Sequence, residues 1–146
     1  MMKKKPDHKI FKSPDIHKSL ADLEGIDWGI PTDDSHLVVT CHELRHKPLN
    51  QFTAEDFRIM IGQNISLHYL VPLAIDLVEK NPLVSGDFYE GDLLANLLSA
   101  DPAFYTKYPQ LKTRLRDIVN VNCDYILSNI FDKKEFTRVM SDFRGG

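Results

Sequence analysis

The sequence predicts an all-α fold, a compact single-domain array of about seven helices. Three observations lead there. Apolar residues recur at spacings of three and four from Leu37 to Met140. Small polar caps, prolines and glycines stand where those runs begin and end. Only Leu37-Val38-Val39 could seed a strand, and it is too short and wrongly flanked to do so. With 146 residues, 42 % of them hydrophobic, the chain suits one core and is too apolar for wholesale disorder.

Residues 1–12 carry five Lys against one Asp and no helical periodicity, so they predict a basic flexible tail ahead of a helical domain at 13–146. Met1 to Pro6 begins like a secretory signal, but Asp7-His8-Lys9 stand where its apolar stretch would be, and export is not expected. A short first helix starts at Ser13-Pro14 or at Ser19 and stops near Gly25. Trp28, Gly29 and Pro31 fall in a loop, with the Trp as a packing anchor. Asp33-Asp34-Ser35 opens a second helix, acidic at its positive end, with Leu37, Val38, Cys41 and Leu44 on one stripe; Lys47-Pro48 ends it. Thr53-Ala54-Glu55-Asp56 caps a third helix that turns Phe57, Met60 and Ile61 inward and weakens at Gly62.

Residues 66–80 are the most apolar stretch. Pro72 within it either kinks one helix or occupies the first turn of a helix starting there. Asn81-Pro82 ends it, and residues 84–92 form a loop rich in Gly and acid. Leu93, Leu94, Leu97 and Leu98 mark a fifth helix, and Asp101-Pro102 a helical turn. Pro109 opens what reads as the longest helix, running toward Ile126 past Asn120, Asn122 and Asp124, which blur its boundary. A last helix carries Phe136, Val139 and Met140, and Arg144-Gly145-Gly146 should fray.

Charge is unevenly spread: net +4 over residues 1–12, −10 over 13–101 and +3 over 102–146. An acidic centre repels nucleic acid and speeds encounter with basic partners. Direct nucleic-acid binding is not expected, since Arg114 and Arg116 lack interleaved aromatics and the Lys tail offers only non-specific phosphate contact. No apolar run approaches the roughly 20 residues that a membrane-spanning helix needs.

Chemistry-bearing motifs are few. Cys41 and Cys123 form no CxxC pair and read as small hydrophobes on helix faces. His42-Glu43-Leu44-Arg45-His46 fits HExxH, in which two His one turn apart bind zinc and the Glu acts as general base. Against it, Pro48 puts His46 in a fraying turn, and Leu49 and Phe52 stand where an extended zinc-protease pattern has Gly and His. Six His in the chain make such a pairing unsurprising. Gly86 and Gly91 have the spacing of a phosphate loop, but Asp92-Leu93 replaces its Lys and Ser/Thr. No catalytic residue, cofactor or metal is assigned, and a binding function is expected.

Five blocks carry a family resemblance. They are Lys18-Ser19-Leu20-Ala21-Asp22-Leu23-Glu24-Gly25 with Trp28-Gly29; Cys41-His42-Glu43-Leu44-Arg45 to Lys47-Pro48-Leu49; Glu55-Asp56-Phe57-Arg58 through Ile61-Gly62-Gln63-Asn64-Ile65; Tyr69-Leu70-Val71-Pro72-Leu73-Ala74; and Asn81-Pro82-Leu83 through Gly86-Asp87-Phe88-Tyr89 to Gly91-Asp92-Leu93-Leu94. In order and spacing, over about residues 18–100, they resemble the immunity proteins of contact-dependent growth inhibition. The resemblance implies a cytosolic bacterial protein that binds the toxic C-terminal domain of a surface-displayed effector, often a nuclease, in a stoichiometric complex that occludes its active site. It also implies that the residue at His46 is free to vary, which a zinc ligand would not be.

The expected contact surface is the acidic loop Asp87, Phe88, Tyr89, Glu90 and Asp92, supported by Asp33, Asp34, Glu55 and Asp56. Immunity proteins vary where they touch their toxins, so residues 102–146, outside the resemblance, are a second region for contacts. The alternatives are a zinc hydrolase using His42, Glu43 and His46, and a helical scaffold or regulator. The sequence leaves the oligomeric state open.

Overall fold

The computed structural model describes residues 14–32, 35–130 and 132–145. The basic tail expected at 1–12 and the pair Asp33-Asp34 lie outside them. The described residues form nine α-helices and no strand. These are α1 Leu20–Glu24, α2 His36–Leu44, α3 Ala54–Gly62, α4 Leu67–Lys80, α5 Asp92–Ser99, α6 Pro102–Lys107, α7 Pro109–Val121, α8 Cys123–Asn129 and α9 Lys133–Gly145. Seven of the nine have seven residues or more, which is the array the periodicity predicts.

Local chemistry sets the boundaries. Ser19 and Asp22 exchange side-chain and backbone hydrogen bonds in a capping box, so Ser19 rather than Ser13 starts α1. Gly25 ends it at φ 66°, a left-handed turn in which Gly carries no Cβ penalty. Thr53 and Asp56 form a second capping box at α3. α4 begins at Leu67 and runs unbroken through Pro72, so Pro72 does not open a helix of its own. The helix expected from Pro109 toward Ile126 is instead two. α7 ends at Asn122, whose amide side chain bonds back to the Ile118 carbonyl at 2.8 Å, and α8 starts at Cys123. A side chain that takes up a carbonyl at a helix end competes with continuation of the helix. α9 reaches Gly145 rather than fraying at Arg144, which donates to the Asn120 side chain.

α5 is the hub. It packs on α3, α4 and α9, and Leu93, Leu94, Leu97 and Leu98 are all buried. Its polar residues Asp92, Asn96 and Ser99 fall at i, i+4 and i+7 on one face, which leaves the leucines to the core. Truncating Leu94, which has no exposed surface, to Ala should cost about 2–5 kcal/mol. α3 runs along α4 and α5, so the first turn of α3 and the loop leading into α5 come to the same edge of the core. Leu37, which its spacing places on an apolar stripe, is 43 % exposed, and the buried face of α2 narrows to Cys41 and Leu44.

Candidate functional site

Where the first turn of α3 meets the α4–α5 loop, two carboxylates organise the backbone. Asp92 Oδ1 accepts from the Gly86 N–H at 2.6 Å, and its Oδ2 accepts from Phe88 and Tyr89 at 3.0 and 3.3 Å. Glu55 Oε1 accepts from the Asp87 N–H at 2.8 Å. Four consecutive N–H groups, Gly86 to Tyr89, are thus held by side chains reaching in from two helices. Hydrogen bonds to ionised acceptors are about twice as strong as neutral ones, so the loop is tied down rather than loosely solvated.

Arg58 balances that negative charge. Its Nε and Nη2 each donate to Glu55 at 2.5 Å, and its Nε lies 3.8 Å from Asp92 Oδ2. The hydrogen bond from Arg58 is the main reason the Glu55 carboxyl is held below its ordinary value, and the same bond raises the guanidinium. The carbon of that guanidinium stands 3.9 Å from the centroid of the Phe88 ring, a cation–π stack. Gly86 is required by space. A Cβ there would lie 3.1 Å from the Glu55 Cα and 3.2 Å from Asp92 Oδ2.

The loop therefore presents Asp87, Phe88, Tyr89 and Glu90 to solvent, with Phe88 at 71 % exposure. Asp92 itself is 2 % exposed and stands behind the loop, and Glu55 is half-buried beside it. Both hold the surface the sequence assigned to them rather than forming its outer layer. Asp56 is committed to its capping box and to Lys47 Nζ at 2.6 Å. Asp33 and Asp34 lie outside the described residues.

Two carboxylates that the sequence did not single out join this face. Tyr89 packs toward the start of α9, and its hydroxyl is pushed up first by burial and then by Asp92, Glu135 and Asp132. Asp132 and Glu135 are exposed and share a notch with Tyr89. More than forty residues separate them from the loop, so only the fold brings them together. Between the end of α5 and residues 102–143, a cavity of about 320 Å³ is lined by Leu98, Tyr105, Lys112, Arg138, Val139 and Phe143 among others.

The His42 to His46 run is divided by the end of a helix. α2 ends at Leu44, so His46 leaves the helical face that His42 occupies. His42 Nδ1 faces the Gly29 carbonyl at 3.3 Å, and its ring meets Trp28 edge-on at 5.0 Å. No three His, Cys, Asp or Glu side chains among the described residues are placed to hold a metal ion. The residue in this run that the fold depends on is Arg45, which is 1 % exposed. It pairs with Glu24, donates to the Ile26 carbonyl at 2.7 Å and stacks on Trp28 at 4.4 Å, while Ser66 donates to Glu24 at 2.8 Å.

The blocks that carry the resemblance are thus joined to one another by polar contacts: Glu24 with Arg45, Lys47 with Asp56, and Glu55 and Arg58 with the loop at 86–92. The family model described as CDI immunity proteins matches residues 22–115, nearly two-thirds of the chain and all five blocks except the first four residues of the first. No curated protein matches the chain. No helix among the described residues is long and apolar enough to cross a membrane.

Proposed function

This chain belongs to the family of CDI immunity proteins, the proteins that neutralise a cognate toxin of contact-dependent growth inhibition, and from that premise we propose how it does so. It binds the toxic C-terminal domain of the effector in a one-to-one complex, in the bacterial cytosol, and acts by occlusion rather than by catalysis. The observation that carries this reading is the loop of Asp87, Phe88, Tyr89 and Glu90, exposed as a unit while Glu55 and Asp92 fix its backbone from behind.

A nuclease is the toxin class that this surface fits best. A nuclease cleft is basic because it holds phosphates, and an acidic surface complements it in both encounter rate and specificity. Residues 13–101 carry net −10 in a chain of net −3, with Asp76 and Glu79 paired to Arg114, so the attraction is that of an acidic face rather than of the whole molecule, and the ordered loop gives the local fit. A stable complex of this kind buries about 1,600 Å² in total, far more than one loop supplies, so neighbouring surface such as Asp132 and Glu135 takes part.

The test is titration of the toxin domain encoded beside this chain. The proposal expects co-purification at one to one, loss of toxin activity at one equivalent, and competition between this chain and the toxin's nucleic-acid substrate. A complex that silences the toxin while its substrate still binds rules out occlusion. A toxin domain with no nuclease activity rules out the substrate class.

A further inference from the structure

We infer that Phe88 is the anchor of the toxin interface and that its receptor on the toxin is an apolar socket with a basic rim. The inference rests on the proposed function and specifies the chemistry of that same surface.

Phe88 is 71 % exposed, and exposure alone does not set it apart, since Ile30 and Val121 are more exposed still; what sets it apart is how it is held. Here the ring is not left loose. Its own N–H is held by Asp92 at 3.0 Å, the residues on both sides are held by Glu55 and Asp92, and one ring face lies on Arg58. The ring is therefore fixed before any partner arrives, and binding loses little side-chain or loop entropy to it. Interface anchors are of this type, aromatic and central, surrounded by residues of small individual effect.

Charge specifies the partner. Asp87 and Glu90 flank Phe88 and Tyr89, and both are exposed. The nearest cation, Arg58, is engaged by Glu55 and Asp92, so the outer layer of the loop is acidic. A receptor for it needs an apolar floor for the second face of the ring and Lys or Arg side chains around the rim. Lys133 and Lys134 open α9 beside Asp132 and Glu135, so the complementarity sharpens toward the loop and weakens along α9.

The experiment measures association and dissociation of an inactivated cognate toxin domain with the wild-type chain and four full-length variants, with a thermal melt of each. Phe88→Ala should raise the dissociation rate about 30-fold, the size of a hot-spot loss, with the melting temperature lowered by no more than the few degrees that losing the Arg58 stack costs. Phe88→Tyr should restore binding to within a few-fold of wild type. Val121→Ala, at an exposed position on α7, should change nothing. The double variant Asp87→Asn, Glu90→Gln should slow association several-fold at low salt and flatten its salt dependence.

Wild-type affinity in Phe88→Ala, with protection by the wild type intact, overturns the anchor and leaves the immunity reading standing. A loss of affinity that comes with a melting temperature lowered by about ten degrees or more assigns the ring to the fold and overturns it as well. Unchanged association in the double variant overturns the basic rim. A dimer of the free chain that Phe88→Ala dissolves makes a second copy the occupant. Failure of the wild type to bind any toxin domain of its locus removes both readings.

Discussion

Arg45, 1 % exposed, is paired through its guanidinium with the Glu24 carboxylate, and together with the Ala21 N–H bond to the Arg45 carbonyl at 2.9 Å the pair closes the end of α2 onto α1. The same guanidinium caps the Ile26 carbonyl and supports the Trp28 ring, so the end of α1 and the loop that follows it gather on one side chain. Breaking a buried pair from one side costs more than the pair contributes, because the partner charge is left behind. Arg45→Ala should therefore lower the unfolding free energy by about 3–5 kcal/mol, read by urea denaturation with circular dichroism. Arg45→Met combined with Glu24→Leu should recover part of the loss.

Gly86→Ala should loosen the loop from its base. The added methyl collides with Glu55 Oε1, the oxygen that holds the Asp87 N–H and Arg58, and crowds the Glu55 Cα at 3.1 Å, so the carboxylate must leave its place. Forced repacking of this kind costs about 1–3 kcal/mol. The loss should appear as faster amide exchange at Gly86 to Tyr89 and weaker toxin binding, with exchange in α4 and α7 little changed.

Glu55 makes stability depend on pH. Its folded pKa is depressed below the ordinary 4.5, chiefly by the hydrogen bond from Arg58. For a depressed carboxylate, the contribution is complete above the unfolded value and is lost as pH falls through the folded one. Glu55→Gln should thus be less stable than wild type at neutral pH, and the gap should close progressively below pH 4.5. Urea midpoints of both proteins across that range check the sign. A gap that widens on acidification contradicts the ion pair.

The two thiols should differ in reactivity. Cys41 is buried and its thiol is pushed up by desolvation, whereas Cys123 is only partly covered. A disulfide reagent should label Cys123 first in the folded protein and Cys41 only as the chain opens.

Local signals in the sequence were enough for the cap of α3 and narrowed that of α1 to Ser13 or Ser19, but not for the start of α8. Ser19 with Asp22 and Thr53 with Asp56 each lie three residues apart and act within one turn, so the cap can be read from spacing alone. The inward positions of α3 and α5 followed from periodicity in the same way. What stayed hidden depends on distance along the chain. Arg45 looks like a surface charge until Glu24, 21 residues earlier, is brought against it. Asp92 reads as one more acid of an exposed loop, yet its neighbours' N–H groups draw it inward. The break between α7 and α8 turns on which carbonyl Asn122 takes, which periodicity does not encode. The acidic face was legible at Asp87 to Glu90 and invisible at Asp132 and Glu135, because only tertiary packing sets α9 beside Tyr89.

Growth of cells expressing the locus's own toxin domain, with and without this chain, tests the central claim most directly. The account predicts full protection by the wild type, and protection lost in Phe88→Ala at equal protein level. Cells that die equally fast with and without the wild-type chain, against every toxin domain of its locus, would contradict it.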